Sequence, residues 1–249
     1  MKNILVLDSG VGGLNVLHEC VKICPFFNYL YFGDQKNMPY GNKSKAYLKK
    51  HAICLLNDIK KFYDFDTVIV ACNTLTSCAI SEIRKTFKNI TVIGTEPAIK
   101  PALSKYKPDE ILIVATFATI TQNKLIKKAK SLKVSIFPLN SLAKLIEESS
   151  DQIVPYLKSK IAPSYKAIVL GCTHYEFIEK EICELFNVEC FSASKGVAKR
   201  LKYLYEKSLT KISPQEKVLS LNVQMMSSGT QEDLYKLIAF YERLEFSKL

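Results

Sequence analysis

The chain has 249 residues, 48% of them hydrophobic, which is enough for one large domain or two smaller ones with real cores. No apolar stretch approaches the ~20 residues of a membrane span, and the short apolar run at the start is unlike a signal peptide. The net charge of +11 comes from lysines scattered through helix-like segments, without a nucleic-acid motif. We therefore expect a cytoplasmic protein that binds neither membrane nor nucleic acid.

Strand-like and helix-like segments alternate along the chain. Apolar runs predict strands at 3–7, 28–32, 66–71, 90–93, 110–115, 134–137, 166–170 and 188–191. Helical patterns lie between them, at 13–24, 44–63, 76–88, 122–132, 140–159 and 175–186. This alternation predicts an α/β fold with mainly parallel sheets, because right-handed crossovers join such strands.

The second set of strands repeats the first at an offset of about one hundred residues. The run Ile4-Leu5-Val6-Leu7, for example, corresponds to Ile111-Leu112-Ile113-Val114. We therefore predict two pseudo-symmetric lobes with an active-site cleft between them. Pro97 and Pro101 punctuate a crossing from one lobe to the other.

The end of the chain is predicted to return to the first lobe. It contains helical patterns at 195–208 and 230–243 and a short strand near 218–226. The predicted first lobe comprises residues 1–95 and 207–249, and the predicted second lobe comprises residues 96–206.

The motif Asp8-Ser9-Gly10-Val11-Gly12-Gly13 follows the first strand and opens a helix. Glycines there allow a tight turn and leave backbone N–H groups free to bind an anion. The spacing differs from the dinucleotide fingerprint, and Asp8 would repel a phosphate. A capped turn and a functional loop therefore both stay open, and Pro39-Tyr40-Gly41 by itself indicates only a turn.

Two predicted strands end on a cysteine. Residues 68–74 read V-I-V-A-C-N-T, and residues 167–174 read A-I-V-L-G-C-T-H. Ligands bind at the carboxyl ends of parallel strands, so we expect Cys72 and Cys172 on facing walls of the cleft. His174 favours a thiolate at Cys172. Two matched thiols fit a reaction in which one removes a proton from a carbon and the other delivers a proton to its opposite face.

Other roles for the cysteines fit less well. Burial as a small hydrophobe is the commoner fate of a lone cysteine, but two at equivalent strand ends argue against coincidence. A cysteine hydrolase needs one nucleophile, and a disulfide oxidoreductase keeps its pair close in sequence. The chain has eight cysteines and no C-x-x-C spacing, so we expect reduced thiols and no metal site.

Taken in order, these motifs resemble those of the glutamate racemases, which belong to the aspartate/glutamate racemase superfamily and need no cofactor. The resemblance implies interconversion of L- and D-glutamate, which supplies D-glutamate for peptidoglycan, in a homodimer. It also implies that Cys72 acts on the D-isomer and Cys172 on the L-isomer, with Asp8 and His174 supporting them.

The resemblance further implies a set of substrate-binding residues, to which Asp8 and His174 also belong: Ser9, Tyr40, Gly41, Asn73, Thr74, Thr116, Thr119 and Thr173. An additional acid is expected on a helix of the second lobe, and Glu147 is the first choice, with Glu148 as the alternative. The segment from Phe137 to Glu148 matches the family pattern loosely, and the tail from Met225 to Thr230 departs from the usual aromatic-rich version.

Three other functions stay open at this point. A racemase of another substrate, such as aspartate or a hydantoin, would keep both cysteines, and one methylene changes binding by only ~1–3 kcal/mol. A non-catalytic protein that binds acidic metabolites would need the polar groups but not the two thiols. A thiol redox protein would link Cys72 to Cys172 on mild oxidation.

Overall fold

Two parallel β-sheets form the centre of the fold in a computed structural model that describes residues 2–209 and 223–246. The first sheet contains β1 (Asn3–Asp8), β2 (Asn28–Gly33), β3 (Thr67–Val70), β4 (Thr91–Gly94) and β9 (Val223–Ser227). The second contains β5 (Ile111–Ala115), β6 (Ser135–Pro138), β7 (Ala167–Gly171) and β8 (Glu189–Phe191). Every strand pair is parallel, so the predicted α/β fold with two lobes is confirmed.

The order of the strands shows that the two lobes are built alike. The first sheet runs β4-β3-β1-β2-β9, and the second, taken from its other edge, runs β8-β7-β5-β6. Strand β5 therefore corresponds to β1, and β7 corresponds to β3. The predicted repeat is present in the topology, and it places Cys72 and Cys172 after equivalent strands.

Helices connect and cover the strands. Their bounds are α1 (Leu14–Ile23), α2 (Lys45–Lys60), α3 (Asn73–Thr86), α4 (Ile99–Lys105), α5 (Phe117–Gln122), α6 (Lys124–Ser131), α7 (Leu142–Glu147), α8 (Ile153–Lys160), α9 (Glu179–Phe186), α10 (Ser194–Leu209) and α11 (Gln231–Phe246). Short 3₁₀ helices occupy Gln35–Asn37, Tyr40–Asn42, Pro108–Glu110 and Thr173–Ile178. In the described part of the chain, none of the helices has the length and apolarity that a membrane crossing requires.

Several predicted helices have different bounds in the structure, among them the one predicted at 175–186, which begins at Glu179 after a 3₁₀ segment. The helix predicted at 140–159 is two helices, α7 and α8, separated at Ser149, which has a positive φ of 49°. Helix α3 begins at Asn73 rather than at 76, because the side chain of Cys72 caps it. Asn123 similarly caps α6, which shortens the helix predicted at 122–132.

The sequence patterns did not predict α4, which follows the crossing between the sheets. Pro101 discourages a helix in general, but here it lies in the first turn, where no intrahelical N–H is required. Ile99 and Ala102 of this helix pack into the core of the second sheet. The chain thus passes from the first sheet to the second between Gly94 and Ile99.

Alternate residues of each central strand point into separate cores. In β1, Ile4 and Val6 face a core that includes α1 and α11, whereas Leu5 and Leu7 face the core beneath α2 and α3. The second sheet is covered on both faces in the same way. Burial on both faces explains why these strands are continuous apolar runs rather than alternating ones.

The last part of the chain joins the first sheet. Strand β9 pairs with β2, and residues 218–222 of the predicted strand lie outside the described residues. Val197, Ala198 and Leu201 of α10 pack into the core formed by β1 and α1. The predicted boundary between residues 206 and 207 stays a prediction, and this packing favours a boundary before α10.

Gly171 at the end of β7 allows two backbones to approach closely. A Cβ atom at this position would lie 2.7 Å from Ala115 Cβ and 2.9 Å from the Val114 carbonyl oxygen. We expect Gly171→Ala to lower the free energy of unfolding by roughly 1–3 kcal/mol through overpacking. The midpoint of urea unfolding, followed by circular dichroism, measures this change.

Gly196 in α10 provides the matched control, since a Cβ atom there would have no neighbour within 4 Å. Gly196→Ala should raise the free energy of unfolding by about 0.5–1 kcal/mol, because alanine has a higher helix propensity than glycine. Equal effects of the two substitutions would contradict the close approach at Gly171.

Candidate active site

The chemically important side chains lie at the carboxyl ends of the central strands. Asp8 ends β1, Cys72 follows β3, Thr116 follows β5 and Cys172 follows β7. The cysteines are buried, at 6% and 8% exposure. The two strand ends carry the two thiols on different sheets, as the sequence predicts.

Cys72 lies at the start of α3, and its environment favours the protonated thiol. The Leu75 N–H donates to the Cys72 Sγ atom over 3.5 Å. Burial is the main reason that the pKa of the Cys72 thiol is well above its usual value, and the charge of Asp8 raises it further. A thiolate at Cys172 would raise it as well, so the two thiols lie within electrostatic range of one another.

Cys172 lies beside a buried imidazole–carboxylate pair. Its Sγ atom is 3.9 Å from Nδ1 of His174, and Nε2 of His174 is 2.7 Å from Oε1 of Glu147. Burial opposes a charged ring, but the contacts with Cys172 and Glu147 outweigh it and raise the pKa of His174 well above 6.5. The histidine next to this sulfur therefore favours its protonated form.

Contacts from both lobes favour the ionised carboxylate of Glu147. Besides His174, it accepts the Val11 N–H over 3.1 Å, and Lys236 Nζ lies 3.7 Å from its second oxygen. Burial opposes its ionisation, but the contacts with His174, Val11 and Lys236 together lower the pKa of Glu147. Glu148, the alternative candidate, is half exposed at 52% and pairs with Lys144 instead. The structure therefore brings Glu147 to the site and turns Glu148 away.

Asp8 joins the first lobe to the loop that carries Cys172. It accepts the Gly10 N–H over 3.0 Å and the Thr173 hydroxyl over 3.2 Å. Burial raises the pKa of Asp8, against the opposing influence of the charged His174 ring and these hydrogen bonds. Ser9 next to it lies 3.9 Å from the Cys72 sulfur. Asp8 thus contacts the residue next to Cys172, and Ser9 contacts Cys72 itself.

The glycine-rich loop after β1 is required for close packing against the second lobe. A Cβ atom at Gly12 would lie 2.5 Å from both His174 Nδ1 and Thr173 Oγ1. One at Gly10 would lie 2.2 Å from Glu147 Oε1. The loop lets the lobes meet at His174 and Glu147, and its function as a binding loop stays a prediction.

Three threonine hydroxyls meet between the lobes. Thr74 at the start of α3 lies 2.9 Å from Thr116 and 3.1 Å from Thr119, and the last two are 2.9 Å apart. A Cβ atom at Gly41 would lie 3.2 Å from Thr116, so the loop of Gly41 closes one side of this cluster. These are short polar donors and acceptors of the kind that bind a carboxylate.

The other predicted binding residues are buried nearby. The Asn73 side-chain amide donates to the Thr95 carbonyl over 3.4 Å, and the side-chain oxygen of Asn73 has no hydrogen-bond partner among the described residues. Tyr40 is 1% exposed, but its hydroxyl donates to Asp34 over 2.5 Å. The predicted substrate contacts of Asn73 and Tyr40 stay predictions.

Several residues around the site were not predicted from the sequence. Asp34 accepts hydrogen bonds from Tyr40 and contacts His51 over 2.5 Å, and Asn15 donates to the Thr173 carbonyl over 3.3 Å. Asp34 follows β2 directly, so the strand-end argument applied to Asp8 could have found it. No comparable signal marks Lys236, because its partner Glu147 is on another lobe.

We expect Glu147→Gln to lower the free energy of unfolding by about 1–3 kcal/mol, since it removes a charged hydrogen-bond acceptor from buried donors. Glu147 contributes fully above its unfolded pKa of 4.5 because its folded pKa is lowered. His174 contributes fully below its unfolded pKa of 6.5 because its folded pKa is raised. The loss should therefore be largest between these two pH values and smaller at alkaline pH.

Glu148→Gln is the control, with an expected change within about 0.5 kcal/mol because exposed ion pairs contribute little. Urea unfolding of both variants across the pH range measures the difference. Similar losses in both variants, or a loss at Glu147 that grows with alkaline pH, would contradict the buried pair.

No protein-family model matches the chain, but curated proteins do. It is 39% identical to the glutamate racemase of Clostridium acetobutylicum over 81% of this chain and 83% of that protein. It is 32% identical to the glutamate racemase of Buchnera aphidicola over 99% and 98% of the two chains.

Solved structures show the same fold. Glutamate racemase of Escherichia coli, in complex with L-glutamate and the activator UDP-MurNAc-ala, has a TM-score of 0.81 and 25% identity over 97% of this chain and 94% of that one. That of Francisella tularensis, in complex with D-glutamate, has a TM-score of 0.77 and 25% identity over the same shares. With relatives above 30% identity over most of its length, the chain belongs to the glutamate racemase family.

Proposed function

We propose that this protein interconverts L- and D-glutamate, with Cys72 and Cys172 as the two acid–base groups. The observation that supports this most strongly is the equivalent placement of two buried thiols after β3 and β7, within electrostatic range of each other. Inversion at a carbon requires one group that removes the α-proton and another that supplies a proton to the opposite face.

In the direction from L to D, the Cys172 thiolate takes the α-proton of L-glutamate, and the electron pair of the C–H bond stays on the substrate. The Cys72 thiol then donates its proton to the other face of the same carbon. The product is D-glutamate, and the enzyme is left with a thiol at Cys172 and a thiolate at Cys72. The reverse direction uses the same two steps in the opposite order.

The neighbours of the two sulfurs support this division of roles. A protonated His174 beside Cys172 stabilises a thiolate, and Glu147 keeps that ring protonated and oriented. Burial raises the pKa of Cys72, which favours the thiol that must donate. Asp8 is close enough to Cys72 for its charge to raise the pKa of that thiol, and it would assist proton transfer at Cys72.

The threonine cluster is the proposed site for one carboxylate of glutamate. Thr74, Thr116 and Thr119 bring three hydroxyls together, and Thr74 lies in the first turn of α3, where backbone N–H groups favour an anion. Ser9, Asn73 and Thr173 would hold the remaining polar groups close to the sulfurs. The predicted contacts from Tyr40 and Gly41 would be made by the loop that closes this side.

On the family resemblance, we further propose that the protein is a cytoplasmic homodimer and that its D-glutamate is used for peptidoglycan. Light scattering coupled to size exclusion distinguishes a dimer from a monomer.

Serine substitution of each cysteine tests the mechanism. We expect Cys72→Ser and Cys172→Ser to lower the rate of racemisation by roughly 10²–10⁴-fold, the range for loss of a general acid or base, with substrate binding largely retained. In deuterated water, Cys172→Ser should still exchange the α-proton of D-glutamate but not that of L-glutamate, and Cys72→Ser should show the reverse. Proton NMR of the α-position measures both.

Cys54→Ser, at an exposed cysteine on α2, is the control and should retain the activity of the original enzyme. Undiminished racemisation in either active-site variant would rule out the two-thiol mechanism. The unmodified enzyme is assayed in parallel with aspartate, and faster exchange with aspartate than with glutamate would contradict the proposed substrate.

A further inference from the structure

Lys236 on the C-terminal helix reaches the buried carboxylate of the candidate active site from the opposite lobe. Its Nζ atom lies 3.7 Å from Glu147 Oε2, and the two side chains are 35% and 6% exposed. Helix α11 belongs to the layer that covers the first sheet, since Leu237 and Phe240 pack into that core. Glu147 ends α7, which covers the second sheet. The ion pair therefore joins the two lobes.

The two oxygens of Glu147 have separate partners. Oε1 receives the Val11 N–H and the His174 ring, whereas Oε2 faces Lys236. Lys236 therefore adds a positive charge to the carboxylate without competing for the oxygen that orients His174.

The backbone beneath Lys236 is fixed in place. Thr230 and Asp233 cap the start of α11 reciprocally, with hydrogen bonds of 2.7 Å from the Thr230 N–H to Asp233 and 3.2 Å from the Asp233 N–H to Thr230. The Gln35 side chain donates to the Asp233 carbonyl over 3.1 Å. Lys236 follows one turn later, next to Leu237, which is fully buried. A helix anchored in this way holds its lysine over the carboxylate.

We propose that Lys236 is a positioning residue of the racemase, which keeps Glu147 ionised and in contact with His174 and thereby maintains the protonated ring beside Cys172. The proposal rests on the function proposed above. Lys236 acts through Glu147, so we assign it no contact with the substrate.

The charged and titratable groups around Lys236 and Glu147 determine how the loss of Lys236 would change the pKa of Glu147. His174 and Lys236 face Glu147 directly. Tyr31 from β2 also lies nearby: burial raises the pKa of Tyr31, and the charges of Asp8 and Glu147 raise it further. Asp8 and Cys172 face the His174 ring. The positive charge of Lys236 lowers the pKa of Glu147, and its removal would raise that pKa. As the pH falls, Glu147 would then become protonated at a higher pH than in the original enzyme, and His174 would lose its charged partner there.

The pH dependence of kcat in Lys236→Met tests this. We expect the acidic limb to move upward by roughly half a pH unit, and kcat on that limb to fall about two- to threefold, as for a partly exposed ion pair. KM should change little. Lys236→Arg should restore the original profile, because it retains the charge.

Lys180→Met is the matched control, since it removes an exposed lysine on α9 that pairs only over 3.9 Å with Glu184. Its profile should superimpose on that of the original enzyme. An unmoved acidic limb in Lys236→Met, no rescue by Lys236→Arg, or a rise in KM without a shift of the limb would each overturn the proposal.

A measurement without turnover separates this proposal from the proposed function. If Lys236 acts through Glu147, adding Lys236→Met to Glu147→Gln should not lower stability beyond Glu147→Gln alone in urea unfolding. Strictly additive losses would overturn the positioning role even if the enzyme racemises glutamate. Absence of glutamate racemisation in the unmodified enzyme would instead count against the proposed function alone.

Discussion

The buried ion pair between His174 and Glu147 is the interaction on which the rest of the site depends. It lies where the two lobes meet, and both lobes contribute to it: Val11 and Lys236 from the first, His174 from the second. A buried carboxylate and imidazole are costly to desolvate singly, and together with hydrogen bonds they hold one arrangement. The glycines at 10 and 12 are present because this contact leaves no space for a side chain.

A duplicated strand order places two thiols in equivalent positions, but the side chains around them differ. Cys172 lies next to the His174 ring, whose pKa is raised, whereas Cys72 is buried near the side chain of Asp8. The environment of Cys72 favours its protonated thiol, whereas Cys172 has an imidazole ring 3.9 Å from its sulfur. In the proposed mechanism each turnover starts with one thiolate and one thiol, and the different neighbours of the two cysteines would assign these states.

Properties that depend on local patterns were predictable from the sequence. Buried parallel strands are apolar runs, so the positions of Cys72 and Cys172 at strand ends could be predicted together with the fold. The choice between Glu147 and Glu148 could not, because it depends on where α7 ends, at Glu147, two residues before the positive φ of Ser149. The partner of the Tyr40 hydroxyl and the approach of Lys236 depend on packing between distant segments, which no local pattern encodes.

Single-turnover racemisation in deuterated water tests the central claim most directly. The purified protein, in excess over L-glutamate, is quenched early and the α-hydrogen of both enantiomers is analysed. Two thiols on opposite faces predict D-glutamate that carries solvent deuterium, while the remaining L-glutamate keeps its original hydrogen. D-glutamate that retains the hydrogen of its substrate would show that one group serves both faces, and would contradict the account.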